Sequence, residues 1–152
     1  MIKVLFVCLG NICRSPMAEF VMKDMVKKQG LEGLVYIESA ATSQEELGNP
    51  VYPPARSKLA EHNISCKGKF ARQMTKDDYD RFDCLIGMDR SNIQNMLRIC
   101  GGDPENKISL LLDHTGCSGN VADPWYTGDF EATWQDVNRG CAALLDRITQ
   151  DA

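Results

Sequence analysis

No stretch of the 152 residues is long and apolar enough to cross a membrane, and no leader precedes the first strand pattern, so neither an anchor nor a secretory signal is expected. No Cys-x2-Cys pair occurs among the seven cysteines. A zinc site built from Cys8, Cys13, His114 and Cys117 would therefore lack the spacing that structural zinc uses, and no metal is expected. The odd cysteine count, with no secretory context, predicts reduced thiols and a cytoplasmic protein instead of a disulfide framework. No Gly-Lys-Ser/Thr follows the first loop, which excludes a nucleotide-hydrolase phosphate loop. No basic stripe is present in a chain of net charge −4. Lys67, Lys69, Arg72 and Lys76 cluster, but a solvated face accounts for them, and nucleic acid is not an expected partner. Repeats, low-complexity tracts and interdomain linkers are also absent, so residues 1–152 are read as one domain. That length buries about two thirds of the unfolded surface on folding.

What is present alternates. Residues 2–8 read as a buried strand and 16–29 as a helix, with Met17, Ala18, Val21, Met22, Met25 and Val26 on one face, Ser15 as its cap and Pro16 at its first position. Residues 34–40 form a second strand, 53–63 a helix and 75–81 a short helix. A third strand at 84–88, a helix at 91–100, a fourth strand at 108–112 and a helix at 130–149 complete the pattern. Strands alternating with helices predict an α/β domain of three layers, a parallel sheet with helices on both faces. Ligands in such sheets bind beyond the carboxyl ends of the strands, which here means the loops starting near Cys8, Ser39, Met88 and Asp113.

The first of those loops, Cys8-Leu9-Gly10-Asn11-Ile12-Cys13-Arg14-Ser15, joins a strand to a helix start. A loop this short can turn successive N–H groups inward as an anion cradle, reinforced by the helix terminus. Arg14 can grip two phosphate oxygens as a planar fork. The thiol of Cys8 stands where phosphorus would sit. A free thiol is only a few per cent ionised at neutral pH, so a nucleophile here needs the amides, Arg14 and the Ser15 hydroxyl to stabilise its anion. Read alone, Cys8 is better explained as the end of a buried strand. Arg14-Ser15 at this spacing favours the nucleophile.

Cys-x5-Arg-Ser at the start of a short chain resembles the low-molecular-weight protein tyrosine phosphatase family. The likeness continues through Ser39-Ala40, Phe82-Asp83, Met88-Asp89 with Ser91-Asn92, and Asp123-Pro124-Trp125-Tyr126, in the family's order. The resemblance implies a flavodoxin-like four-stranded sheet of order 2-1-3-4 and hydrolysis of phosphotyrosine, in proteins, peptides or small aryl phosphates. It further implies a phosphocysteine intermediate, inorganic phosphate as product, no cofactor and a monomer. Leu9, Gly10, Asn11, Ile12, Cys13 and Ser15 would bind substrate with Arg14. It also implies that Asn11 organises the loop by bonding Ser15, Ser39 and His62, and that Cys13 forms a reversible disulfide with Cys8. On sequence alone Asn11 is a turn residue and His62 a surface or capping histidine. Asp89 could position Arg72 or His62, or cap a helix.

Expelling an aryl oxide requires a proton for its oxygen. Two Asp-Pro pairs are available. Asp103 precedes the fourth strand and falls at the wrong sheet edge, as a turn residue. Asp123 leaves the fourth strand at the correct edge, beside Trp125 and Tyr126, which could flank an aromatic ring, and matches the family's Asp-Pro-aromatic-Tyr segment. It is the expected general acid, with Trp125 and Tyr126 as substrate walls, although Tyr126 could also be a half-buried core aromatic. Tyr36, Tyr52 and Tyr79 carry no signal.

The chain departs from the family where Glu45 replaces a bulky apolar cleft wall; an acidic wall disfavours acidic flanks and favours basic ones. Ala41 in place of a frequent glycine is neutral. Ile12 replaces the threonine of similar phosphoarginine enzymes and points to phosphotyrosine. An arsenate reductase would need relay cysteines on a segment after the third strand, and Cys84 and Cys100 are not so placed. A phosphate-binding module without turnover would not need Cys8, Arg14 and Asp123 together.

Overall fold

The computed structural model describes residues 1–151. Its elements run β1 (Ile2–Cys8), α1 (Arg14–Lys28), β2 (Val35–Ala41), α2 (Pro53–Glu61), α3 (Asp77–Arg81), β3 (Cys84–Gly87), α4 (Arg90–Cys100), β4 (Ile108–Leu110), α5 (Pro124–Thr127) and α6 (Phe130–Asp151), with a 3-10 turn at Leu111–Thr115 after β4. The four strands are parallel in the order β2-β1-β3-β4, as the alternation and the resemblance implied.

The apolar run Val4–Cys8 of β1 is explained by its central place in that order, since the part of a parallel strand covered on both faces needs apolar side chains at every position. Val4, Phe6 and Cys8 face one core with α1 and α6, where Met17, Met22, Val137 and Leu144 pack. Leu5 and Val7 face the other, built by Tyr79, Phe82, Met96 and Cys100. Cys8 lies opposite Ala41 of β2, and Val7 opposite Gly87 of β3, so the chain leaves three strands at one edge.

Four local readings are corrected. Helix α1 begins at Arg14, two residues early, so Ser15 lies inside the first turn and is not the cap. The cap position belongs to Cys13, whose side chain makes no capping bond. The Ser15 hydroxyl is engaged elsewhere, as described below. The fourth strand stops at Leu110, because Asp113 turns back to accept the Leu110 N–H at 3.0 Å and starts the 3-10 turn. The predicted helix at 53–63 ends at Glu61, with Asn63 in the left-handed region at φ 61°. The short helix α5 was not predicted. It starts from Asp123, whose carboxylate accepts the Trp125 N–H at 3.0 Å.

One close approach sets the seat of α6 on the edge that carries the late loop. A Cβ on Gly140 would stand 2.4 Å from Cγ of the buried Leu111. Gly140→Ala therefore gains roughly 1 kcal/mol of helix propensity but loses more to overpacking, about 1–3 kcal/mol. The expected outcome is a lower urea midpoint with an unchanged m-value. A midpoint equal to or above wild type would refute the close fit.

Candidate active site

The Cys8–Ser15 loop turns on Asn11, at φ 58°, in the region where asparagine is among the few residues tolerated. Its buried side chain is fully employed. The amide donates to Ser15 Oγ at 2.8 Å and Ser39 Oγ at 2.9 Å, and its carbonyl accepts the Arg72 N–H at 3.2 Å. The Asn11 N–H points at Cys8 Sγ at 3.3 Å, and Ser15 Oγ lies 3.0 Å from the same sulfur. Two polar groups thus converge on the thiol, the arrangement that stabilises a sulfur anion. Among the described residues, the N–H groups of Gly10, Ile12, Cys13, Arg14 and Ser15 meet no protein acceptor. A bare row of amides at a helix start is an anion cradle. Glu46 Cγ would stand 3.2 Å from a Cβ on Gly10, so a side chain there would displace Glu46 by a few tenths of an ångström.

Arg14 is 2% exposed and firmly held. Its Nη1 donates to Asp89 Oδ2 at 2.7 Å and to the Val121 carbonyl at 2.9 Å; its Nη2 reaches Asp123 Oδ2 at 3.3 Å. That leaves Nε–H and one Nη2–H without a protein acceptor among the described residues, the side-on pair that matches two oxygens of an anion. Burial alone would lower the arginine's pKa, but the Cys8 sulfur, Asp89 and Asp123 outweigh it and raise it. Asp89 also accepts the Asn92 N–H at 2.8 Å as the cap of α4. It therefore caps a helix and orients Arg14, in place of the Arg72 or His62 expected from sequence. Arg72 instead binds Asp78 and Glu38.

Cys8, Leu9, Gly10, Ile12, Cys13 and Arg14 line one cavity of about 140 Å³ together with Asp123, Trp125, Tyr126, Glu45 and Glu46. Asp123 arrives because the Val121 N–H pairs with the Met88 carbonyl at 2.8 Å, laying the late loop across the end of β3. Trp125 and Tyr126 are exposed at the mouth, and Trp125 leans on Tyr52 with ring centroids 4.7 Å apart. Glu45 is exposed on the opposite rim. Burial pushes the Cys13 thiol up to about 12, with the Cys8 sulfur and Asp123 acting in the same direction. Asp103 is a turn organiser at the other sheet edge. Burial would raise its pKa, but the Tyr79 hydroxyl and the Lys107 and Ile108 N–H groups prevail and lower it.

The structure does not join His62 to this network. Its ring stacks on Trp134 at 3.9 Å, after the end of α2. The group behind Ser39 is Glu19, 4% exposed, which accepts from Ser39 Oγ at 2.5 Å, Lys23 at 2.6 Å and Lys69 at 3.3 Å. Lys69 also donates to the Ser39 carbonyl at 2.9 Å. Sequence reading missed Glu19 and Glu46, placed Lys69 on a solvated face where it is held by Glu19 and the Ser39 carbonyl, and found no signal in Tyr52, which supports Trp125. For Glu19 one signal existed: it lies four residues after Ser15, on the same helical face.

The likeness to known proteins extends over the chain. The family model for low molecular weight phosphotyrosine protein phosphatase matches residues 3–152. The low molecular weight protein-tyrosine-phosphatase YfkJ of Bacillus subtilis is 42% identical over 99% of this chain and 98% of its own length. Its crystal structure superimposes with a TM-score of 0.96, covering 99% of this chain and 96% of that one. The low molecular weight protein tyrosine phosphatase of Streptococcus pyogenes, 45% identical, superimposes with a TM-score of 0.87 over 97% of this chain and 93% of its own. The Gallus gallus low molecular weight phosphotyrosine protein phosphatase is 40% identical over 95% of this chain and 94% of its length. With the thiol, the guanidinium and the late carboxylate around one small anion cradle, the chain belongs to the low-molecular-weight protein tyrosine phosphatase family.

Proposed function

We propose that this protein hydrolyses phosphotyrosine and other aryl phosphate monoesters, with Cys8 as nucleophile, Arg14 as phosphate ligand and Asp123 as general acid and base. The observation that carries the reading is a single small cavity lined by a thiol, a buried guanidinium and a carboxylate. The family and its protein-tyrosine-phosphatase relatives support the substrate class.

In the first step the Cys8 thiolate attacks phosphorus while the bond to the aryl oxygen breaks, and Asp123 gives its proton to that oxygen. In the second, water attacks phosphorus, Asp123 takes the water's proton, and the P–S bond breaks to return thiolate and inorganic phosphate. The bare loop amides and the free edge of Arg14 hold the equatorial oxygens throughout. Trp125 and Tyr126 flank the ring at one side and Ile12 presents an apolar wall inside. A phosphoguanidine would want an acceptor where Ile12 offers none, so phosphotyrosine fits better. Among the described residues no helix is long and apolar enough to cross a membrane, and all seven cysteines are free thiols, which suits a reducing compartment such as the cytoplasm.

Cys8→Ser is expected to abolish turnover of p-nitrophenyl phosphate. Asp123→Asn should reduce turnover of phenyl phosphate by roughly 10²–10⁴-fold, yet that of p-nitrophenyl phosphate far less, since the better leaving group needs less proton assistance. Equal losses across a leaving-group series would remove Asp123 from the acid role.

Glu45 and Glu46 put two carboxylates at the mouth, and Glu45 is free to meet a peptide. Glu45→Trp should narrow the preference for phosphopeptides with basic over acidic flanks, read as the ratio of kcat/KM values. An unchanged ratio would dismiss this role.

Cys13 is the partner assigned to an oxidised Cys8. Peroxide converts the Cys8 thiolate to a sulfenic acid, and the Cys13 thiol condenses with it, forming the S–S bond and releasing water. Mass spectrometry of peroxide-treated protein should find the Cys8–Cys13 crosslink, reversed by dithiothreitol. A Cys8 sulfinic acid without the crosslink would exclude the pairing.

A further inference from the structure

A second cavity lies outside the catalytic pocket and shares no lining residue with it. It is a groove of about 600 Å³ between the end of α2 and the segment 63–70. Its floor is apolar, with Val51 and Cys66 buried and Ile64 half-buried, and the Phe70 ring stands 58% exposed beside it. Arg56, Lys67 and Lys69 line it, and no carboxylate does, in a protein of net charge −4. Among the described residues Arg56 and Lys67 are paired with no acidic side chain, whereas Lys69 is held by Glu19. The catalytic mouth carries the opposite sign, through Glu45 and Glu46. One short stretch of chain joins the two, running from Glu45 at the mouth to Pro50 and Val51 in the groove.

We propose that this groove docks an acidic segment of the phosphoprotein substrate, with an apolar side chain against Val51, Ile64 and Phe70 and carboxylates toward Arg56 and Lys67. The inference rests on the phosphatase reading above and refines its substrate class: basic residues next to the phosphotyrosine and an acidic, apolar-anchored stretch at a distance. Charge complementarity selects the occupant, because an apolar floor with the exposed Phe70 ring beside it, rimmed by the unpaired cations Arg56 and Lys67, repels basic segments and gains from acidic ones. An exposed rim pair is weak on its own, so the apolar anchor and both cations are needed together.

The test is binding in the absence of turnover. The ¹⁵N-labelled wild-type protein is titrated with the unphosphorylated peptide Glu-Asp-Phe-Glu-Asp-Leu, and separately with Lys-Lys-Phe-Lys-Lys-Leu. The acidic peptide is expected to shift the amides of Ser65, Lys67, Gly68 and Phe70 saturably, and the basic one is not. The double variant Arg56→Ala/Lys67→Ala should weaken the acidic peptide by about tenfold, or 1.4 kcal/mol, while its kcat/KM for p-nitrophenyl phosphate stays at the wild-type value. Absence of shifts in the groove, shifts confined to Leu9–Cys13, equal binding of the basic peptide, or full affinity in the double variant would each overturn the proposal. Adenosine monophosphate moving those amides where the acidic peptide does not would also overturn it, marking a small-ligand site. Failure of the phosphatase reading would appear separately, as wild-type protein without p-nitrophenyl phosphate turnover.

Discussion

The site depends on how one buried asparagine holds a backbone turn in place. Asn11 occupies a left-handed conformation, and its side-chain amide is spent on Ser15, Ser39 and the Arg72 N–H. Those bonds tie the loop to α1, to β2 and to the segment after α2. With the turn so fixed, the amides that follow it have no protein partner, and the thiol of Cys8 lies between the Asn11 N–H and the Ser15 hydroxyl.

Electrostatics follow from that geometry. Arg14 is buried, which is costly for a guanidinium, and it is held by three oxygens from two separate pieces of chain: Asp89 after β3, and the Val121 carbonyl and Asp123 of the late loop. Fixing the arginine this way leaves its other edge pre-oriented for an anion, so little side-chain entropy is lost on binding. A second buried pair, Glu19 with Lys69, stands behind Ser39, and burial lowers the Lys69 pKa against the pull of Glu19. Charge is thus arranged in layers within a mildly acidic protein: a carboxylate-lined mouth, a cationic cradle and a buried ion pair supporting the loop from behind.

Two Asp-Pro pairs with the same local chemistry end in opposite roles. Asp103 accepts from Tyr79, Lys107 and Ile108 and closes the turn into β4. Asp123 caps the short helix α5 and faces the cavity beside Arg14. What separates them is the sheet edge on which each loop emerges, a property of topology that the dipeptide does not carry.

Much of this was legible in the residues. The apolar runs and helical stripes implied the parallel sheet, because a central strand covered on both faces must be apolar throughout. The Cys8–Ser15 spacing implied the cradle, because a strand-to-helix turn of that length leaves its amides turned inward. Only the tertiary structure decided the rest. The truncation of β4 by Asp113 and the helix at Pro124–Thr127 hang on single side-chain bonds that periodicity cannot register. The Asp89 grip on Arg14, the stacking of His62 on Trp134 and the Glu19–Lys69 pair join residues far apart in the chain. Local sequence constrains local conformation, while partners across such separations are chosen by packing.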